Sequence, residues 1–368
     1  MRKVLLLLLL LSSLGIHADD SLSVETPKQG WLSRLIDSFS EVDTNYVEPQ
    51  HYNWALMLQS VNTYDYYRLS TTKSSEQQTI SFAPSIGVRV GPYFGWRWIF
   101  LGYTLDLRNM NFFSGKRKLE IDGSLYSSRF GVDVFYRRSV NDYKLRTVDL
   151  GKDIDTRMLS GQSFDGLNVS ITGLNLYYIF NHKRFSYPAA FAQSTCQKIS
   201  CGSWMMGVGY LKSNIDFDYK RLEAMAQERL GREVELDSGL MFNNIKYTNI
   251  NASVGYAYNW VFARNWLLCS SLSLALAYKA SRGETNRENK ENEGFDFGNF
   301  NIDGIGRFGL VWNNTKWYAG ASAIVRAYNY HKPRFAANNI FGDLCIYVGL
   351  NFGPRGPYKK KKNETVTN

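Results

Sequence analysis

The sequence predicts an all-β fold: a transmembrane, antiparallel, up-and-down β-barrel of about twelve strands. A short N-terminal helix and a helix in one outer loop complete it. Three observations carry this expectation. Long stretches alternate apolar and polar residues with the period of two that a strand imposes. Many of them run past ten residues, the length a tilted strand needs to cross lipid. Strands of soluble sandwiches usually run only about 5–6 residues. The connections alternate between long and short, the asymmetry of outer-membrane barrels. Composition agrees, because aromatics make up 15% of the 368 residues while Pro numbers only 8. Abundant Tyr and Trp suit two interfacial girdles, and scarce Pro suits uninterrupted strands.

In chain order, residues 1–18 read as a secretory signal peptide. A basic Met1-Arg2-Lys3 head precedes the apolar run Val4–Leu11 and a small residue, Ala18. That run is too short to span a bilayer. Residues 19–50 form a polar periplasmic segment with one amphipathic stretch. There Trp31, Leu32, Leu35, Ile36 and Phe39 follow helical spacing. The barrel occupies 51–353, and a basic tail with Lys359–Lys362 occupies 354–368.

Within the barrel the expected strands begin with Asn53–Leu69, Thr79–Val90 and Trp98–Arg108. The last two are joined by a tight Gly91-Pro92-Tyr93-Phe94-Gly95 turn. Ser124–Arg137, Tyr143–Leu150 and Leu167–Phe180 follow. Beyond the long connection Asn181–Ser203 come Trp204–Phe217, Ile245–Phe262, Trp266–Lys279, Asn299–Trp312, Lys316–Tyr328 and Ile340–Phe352. The insertion Tyr219–Leu230 is a helix, since Leu222, Met225, Ala226 and Leu230 recur every three or four residues.

Alternation assigns the faces. In Ile245–Phe262 the outward set Ile250, Val254, Tyr256, Tyr258 and Trp260 opposes Asn249, Asn251, Ser253 and Asn259. In Ser124–Arg137, Tyr126, Phe130, Val132, Val134 and Tyr136 point outward, opposite Arg129, Asp133 and Arg137. One strand breaks phase: its apolar set passes from Val169 and Ile171 to Leu174 and Leu176 across Gly173. A glycine bulge is the expected cause.

The runs DTNYVEPQHYNWALMLQ (Asp43–Gln59), GPYFGWRWIFLGYTLDL (Gly91–Leu107), NHKRFSYPAAFAQS (Asn181–Ser194) and QKISCGSW (Gln197–Trp204) resemble a family of Bacteroidetes outer-membrane barrels. That family is known only as a domain of unknown function. The resemblance covers nearly the whole mature chain. It implies location in the bacterial cell outer membrane and brings no catalytic residue, cofactor or substrate.

The predicted inward charges include Arg89, Asp106, Arg108, Arg129, Asp133, Arg307, Arg326 and Asp343. Interleaved signs favour mutual pairing that closes a narrow lumen. The alternative is a basic-leaning pore for small anionic solutes. A third reading is an outer-membrane hydrolase, which needs a nucleophile and an acid–base set at the outer rim. Only His331 reaches that rim, beside Tyr328 and Tyr330, so no enzyme is expected. Asn181–Ser203 either folds into the lumen as a plug, the preferred reading, or touches a periplasmic partner. In an oxidising compartment Cys196 and Cys201 can form a loop disulfide, while Cys269 and Cys345 stay free. No metal or cofactor is expected. The formal charge of +10 lacks the basic helix or aromatic-basic pattern that nucleic acid requires. Expected partners are therefore outer-membrane lipid and the barrel-assembly machinery. The expected role is a structural or interaction barrel with an occluded, charged lumen.

Overall fold

The computed structural model describes residues 41–358 apart from 73–76, 85–87, 97–98, 103–104, 107–116, 152–153, 284–299 and 332–334. The expected signal peptide at 1–18, the expected amphipathic stretch Trp31–Phe39, most of the loop Ser281–Asp296 and Lys359–Lys362 lie outside these residues.

The described strands are, in order, β1 (Val47–Pro49), β2 (Tyr52–Thr71), β3 (Thr79–Pro84), β4 (Val88–Trp96), β5 (Ile99–Gly102) and β6 (Leu105–Asp106). Then come β7 (Arg117–Tyr126), β8 (Phe130–Val140), β9 (Tyr143–Asp149), β10 (Ser163–Phe164), β11 (Leu167–Ile179) and β12 (Thr195–Gln197). The last six are β13 (Cys201–Phe217), β14 (Asn244–Ala263), β15 (Trp266–Gly283), β16 (Phe300–Asn313), β17 (Trp317–His331) and β18 (Phe335–Pro354). Helix α1 is Pro188–Phe191 and helix α2 is Tyr219–Leu230. Asp218 caps α2 by accepting from the Arg221 N–H at 3.0 Å, and Gly231 ends it at φ +65°. Among the described residues no helix is long and apolar enough to cross a membrane.

β1 and β12 make a small sheet of their own. The other sixteen strands form one antiparallel sheet in the order β10-β9-β3-β2-β18-β17-β16-β15-β14-β13-β11-β8-β7-β5-β4-β6, and β2 also pairs with β4. Sixteen strands replace the expected twelve or so, for local reasons. The segment read as Thr79–Val90 is two strands that meet different stretches of β2: β3 pairs with Tyr67–Ser70, and β4 pairs with Trp54–Asn62. Tyr143–Leu150 is not a long spanning strand but β9, paired with β3 and β10.

Two turns also moved. The GPYFG run is strand, with Tyr93 and Phe94 paired to Met57 and Leu56. Trp96 pairs with Ile99, so β4 and β5 are antiparallel neighbours. Ser124–Arg137 is the end of β7, a turn, and β8. Ser127 makes that turn: its Oγ accepts from the Phe130 N–H at 2.9 Å and its own N–H bonds Phe130 O at 2.9 Å. The reversal carries Tyr126 to the buried face rather than the exposed one.

No bulge interrupts β11. Its register runs unbroken through Gly173 on both sides, to Leu211 of β13 and Phe135 of β8. The change of phase is chemical. On the buried face Val169 and Ile171 enter a large apolar core, while on the exposed face Leu174 and Leu176 give way to Thr172, Ser170 and Asn168. Gly173 is glycine for a steric reason: a Cβ there would lie 2.1 Å from the Phe135 ring, which packs tilted on Phe341.

β13 repeats the pattern. Trp204, Met206, Val208 and Tyr210 form an exposed apolar stripe that ends at Lys212, while Leu211, Ile215 and Phe217 are buried. The end of the sheet nearest β1 is called here the near end, and that of α2 the far end. At the far end Phe82, Phe164, Phe217, Phe242, Leu222 of α2 and Phe335 share one core. β3 is buried along nearly all its length within it.

Candidate functional site

The buried face at mid-height carries charges joined between strands that are not neighbours in the sheet. Arg307 of β16 pairs with Asp133 of β8, and Arg137 of β8 pairs with Asp343 of β18 at 2.6 Å. The sheet therefore curls until its buried face meets itself. Asp343 also faces Arg326 at 3.6 Å. Lys279 of β15, with a wholly buried side chain, holds Asp303 of β16 at 2.7 Å. Asp303 accepts further from Asn249 at 2.7 Å and from the Asn329 N–H at 3.0 Å. Asp133 also accepts from Tyr126 at 2.9 Å and Ser124 at 3.0 Å.

Aromatic faces cover the guanidinium planes. Arg307 lies 5.2 Å from the Tyr177 centroid, Arg137 4.9 Å from Phe341, and Arg326 4.9 Å from Phe135. Desolvated charges persist only when they are paired, and each guanidinium of this layer faces a carboxylate. A cavity of about 10 Å³ beside Asp65, Arg137, Ser139 and Tyr143 has room for one water.

The near end is closed by Asn181–Ser203. Phe185, Tyr187, Ala189 and Ala190 are buried; Ala189 and Ala190 rest on Leu267, Cys269 and Val311. Tyr187 reaches into the charged layer, donating to Ser271 and accepting from Arg307, each at 3.3 Å. Gln193 donates to the Tyr347 hydroxyl at 2.6 Å, and Asn259 donates to Ser186 O at 2.8 Å. β12 then pairs with β1 from Val47↔Gln197 to Pro49↔Thr195. The connection read as a plug thus fills the near end.

Of the eight charges expected to share an interior, four meet: Asp133 with Arg307, and Arg326 with Asp343. Arg89 is half-buried on β4, with Asp106 opposite it in register; the Asp106 side chain and all of Arg108 lie outside the described residues. Arg129 does not belong to the layer. It sits in the near-end turn made by Ser127 and pairs with Glu41 at 3.1 Å. Lys183 and Arg129 hold the exposed Glu41 carboxyl below its usual range. Tyr126 and Tyr187, both bonded into the layer, were not among its expected members. The unusual aromatic content of FSYPAAF was the available signal for Tyr187.

The expected Cys196–Cys201 disulfide is absent from the structure, where both are free. Cys196 points across to Asn313 O at 3.7 Å, while Cys201 at the start of β13 accepts from Asn181 Nδ2 at 3.1 Å. The pairing of β12 with β1 directs the two thiols to different partners. Burial pushes the Cys196 thiol up to about 12, so the neutral thiol dominates at every lower pH. Iodoacetamide labelling of the folded protein at Cys196 is expected to be slow at pH 8. It should then rise about tenfold per pH unit towards pH 11 as thiolate forms. Rapid labelling at pH 8 contradicts this environment.

The histidines are dispersed. His51 bonds Glu48 at 2.7 Å and stacks on Tyr358 at 4.0 Å, while His331 ends β17 exposed. Among the described residues no three His, Cys, Asp or Glu side chains are grouped to hold a metal.

Residues 41–352 match the family described as Domain of unknown function (DUF4421). The chain belongs to that family. No curated protein matches it. Among solved structures, it is similar to the outer membrane protease OmpT from Escherichia coli, with TM-score 0.35 and 6% identity over 84% of this chain and 100% of that one. It is also similar to the beta domain of the Bordetella autotransporter BrkA, with TM-score 0.33 and 10% identity over 82% and 100%. A third is the translocator domain of the autotransporter NalP from Neisseria meningitidis, with TM-score 0.31 and 8% identity over 87% and 93%.

Proposed function

We propose that this DUF4421 chain is an outer-membrane β-barrel with an occluded, charged lumen, acting as a structural or interaction protein rather than a pore or an enzyme. Support for the barrel comes from the antiparallel pairings. Followed from β2 through β18 and down the sheet to β4, they return to β2, a ring of twelve strands. Support for the membrane comes from the exposed face. Leu272, Leu274 and Leu276 are 61%, 54% and 56% exposed, with Ile250 at 61% on the adjoining strand and Val348 at 52% on β18. A surface of such residues is stable against hydrocarbon and not against water. Trp204, Trp260, Trp266 and Trp317 collect at the near end of this belt, where an aromatic girdle belongs. In this reading the near end is periplasmic and α2 faces outward.

The observation that carries the closed-lumen reading is the stack of three seals: the near-end plug, the paired charges at mid-height, and the aromatic core under α2. Lipid and the assembly machinery are then the obligatory partners, and the outer segments are the surface open to others. The test is conductance of the reconstituted full chain in a planar bilayer. No steady current is expected. A steady anion-selective current overturns the occluded lumen and favours a narrow pore for small anions.

A further inference from the structure

The exposed face of the sheet is hollowed where β11, β13, β14, β15 and β16 run side by side. The registers place Leu176, Val208, Ala252, Leu276 and Ile302 in one row across these strands. Ala252 is its low point, flanked by the larger Val208 and Leu276. The resulting apolar groove holds about 730 Å³. Surfaces that meet only disordered hydrocarbon need no such hollow, whereas an acyl chain held in place does.

Two lysines stand above it on the same face. Lys212 is four residues beyond Val208 on β13, about 13 Å along the strand. Lys246 is six residues beyond Ala252 on β14, towards the same end. In register Lys212 faces Thr248 and Lys246 faces Asn214, so the two lysines are diagonal neighbours, roughly 7–8 Å apart at the backbone. Both are exposed, and among the described residues neither makes an ion pair. Asp216, on the same face of β13, is engaged by Asn214 at 3.1 Å and by Asn244.

We propose that this face is a binding site for one anionic lipid of the far-end leaflet. Its acyl chain lies in the groove over Ala252, and its phosphate sits between Lys212 and Lys246. The site rests on the membrane reading above, because the groove faces hydrocarbon only in that reading. Charge and shape fit together here: the apolar hollow ends one chain length below a pair of cations, and cations near a membrane surface attract anionic headgroups.

The test uses the purified full chain in neutral detergent, titrated with phosphatidylglycerol or with phosphatidylcholine of the same chains, and read by native mass spectrometry. The wild type is expected to hold one phosphatidylglycerol about thirtyfold more tightly, since each lysine contributes roughly fivefold. Lys212→Glu with Lys246→Glu should abolish that preference, and the milder Lys→Gln pair should reduce it. Ala252→Phe fills the hollow and should weaken both lipids alike. Equal affinities in the wild type, or a preference that survives the double Glu variant, overturn the proposal. Flotation with neutral phosphatidylcholine vesicles keeps the two claims separate. Protein that floats yet shows no preference refutes the lipid site alone; protein that stays in the aqueous fraction refutes the membrane reading as well.

Discussion

Leu274→Arg is expected to destabilise the bilayer-embedded protein by about 2–4 kcal/mol, the cost of a cation on the lipid face near the membrane midplane. The position makes the result decisive. Leu274 is 54% exposed, and at a water-facing site arginine would be neutral or better, within about 0.5 kcal/mol. Ser270→Arg, on the same strand face closer to the near end, should cost much less, because the penalty falls to about 0–1 kcal/mol at the interface. Urea unfolding in vesicles, followed by tryptophan fluorescence, measures both. Equal, small effects at the two positions would mean that the exposed apolar face does not meet hydrocarbon.

Arg307→Ala is expected to cost about 3–5 kcal/mol, because it strands a buried carboxylate. Asp133 is 2% exposed and would keep only Tyr126 and Ser124 as partners. The same truncation removes the cation from Tyr177 and from the Tyr187 hydroxyl of the plug. Replacing both members, Asp133→Leu with Arg307→Met, should recover most of the loss, since a packed apolar pair of similar volume needs no counter-charge. By contrast Arg157→Ala, which breaks the solvent-exposed pair with Asp155, should not shift the unfolding midpoint measurably. A single Arg307 variant as stable as the wild type would remove the basis for treating the charged layer as a structural seal.

The seven strands from β11 to β18 other than β12 are the part most legible in the sequence. Their alternation places Ile250, Val254 and Tyr256 outward and Asn249, Asn251 and Asn259 inward, as the exposures have it. The region between 79 and 137 was misread for a consistent reason. Glycine-rich GPYFG has the composition of a turn, yet Tyr93 and Phe94 are held extended by their ladder to Met57 and Leu56. Conversely Ser127, Ser128 and Arg129 have no strong turn composition, and their reversal depends on one serine hydroxyl bonding back to the chain. The phase break at Gly173 was visible, but its cause was not. A period of two records which residues are apolar; it does not record whether the apolar side meets lipid or core.

By itself the sequence determined the antiparallel all-β class, the strand faces over the exposed apolar belt, the helix at Tyr219–Leu230 and the placement of Asp133, Arg307, Arg326 and Asp343 on the opposite face, because these follow from local periodicity and transfer free energy. Only the tertiary structure decided which charges meet. Arg137 and Asp343 are 206 positions apart, and Arg129, read as their neighbour, ends in a turn against Glu41. Pairing across a curled sheet depends on register summed over many strands, and a shift of two residues in any one of them would exchange the partners without altering a single face.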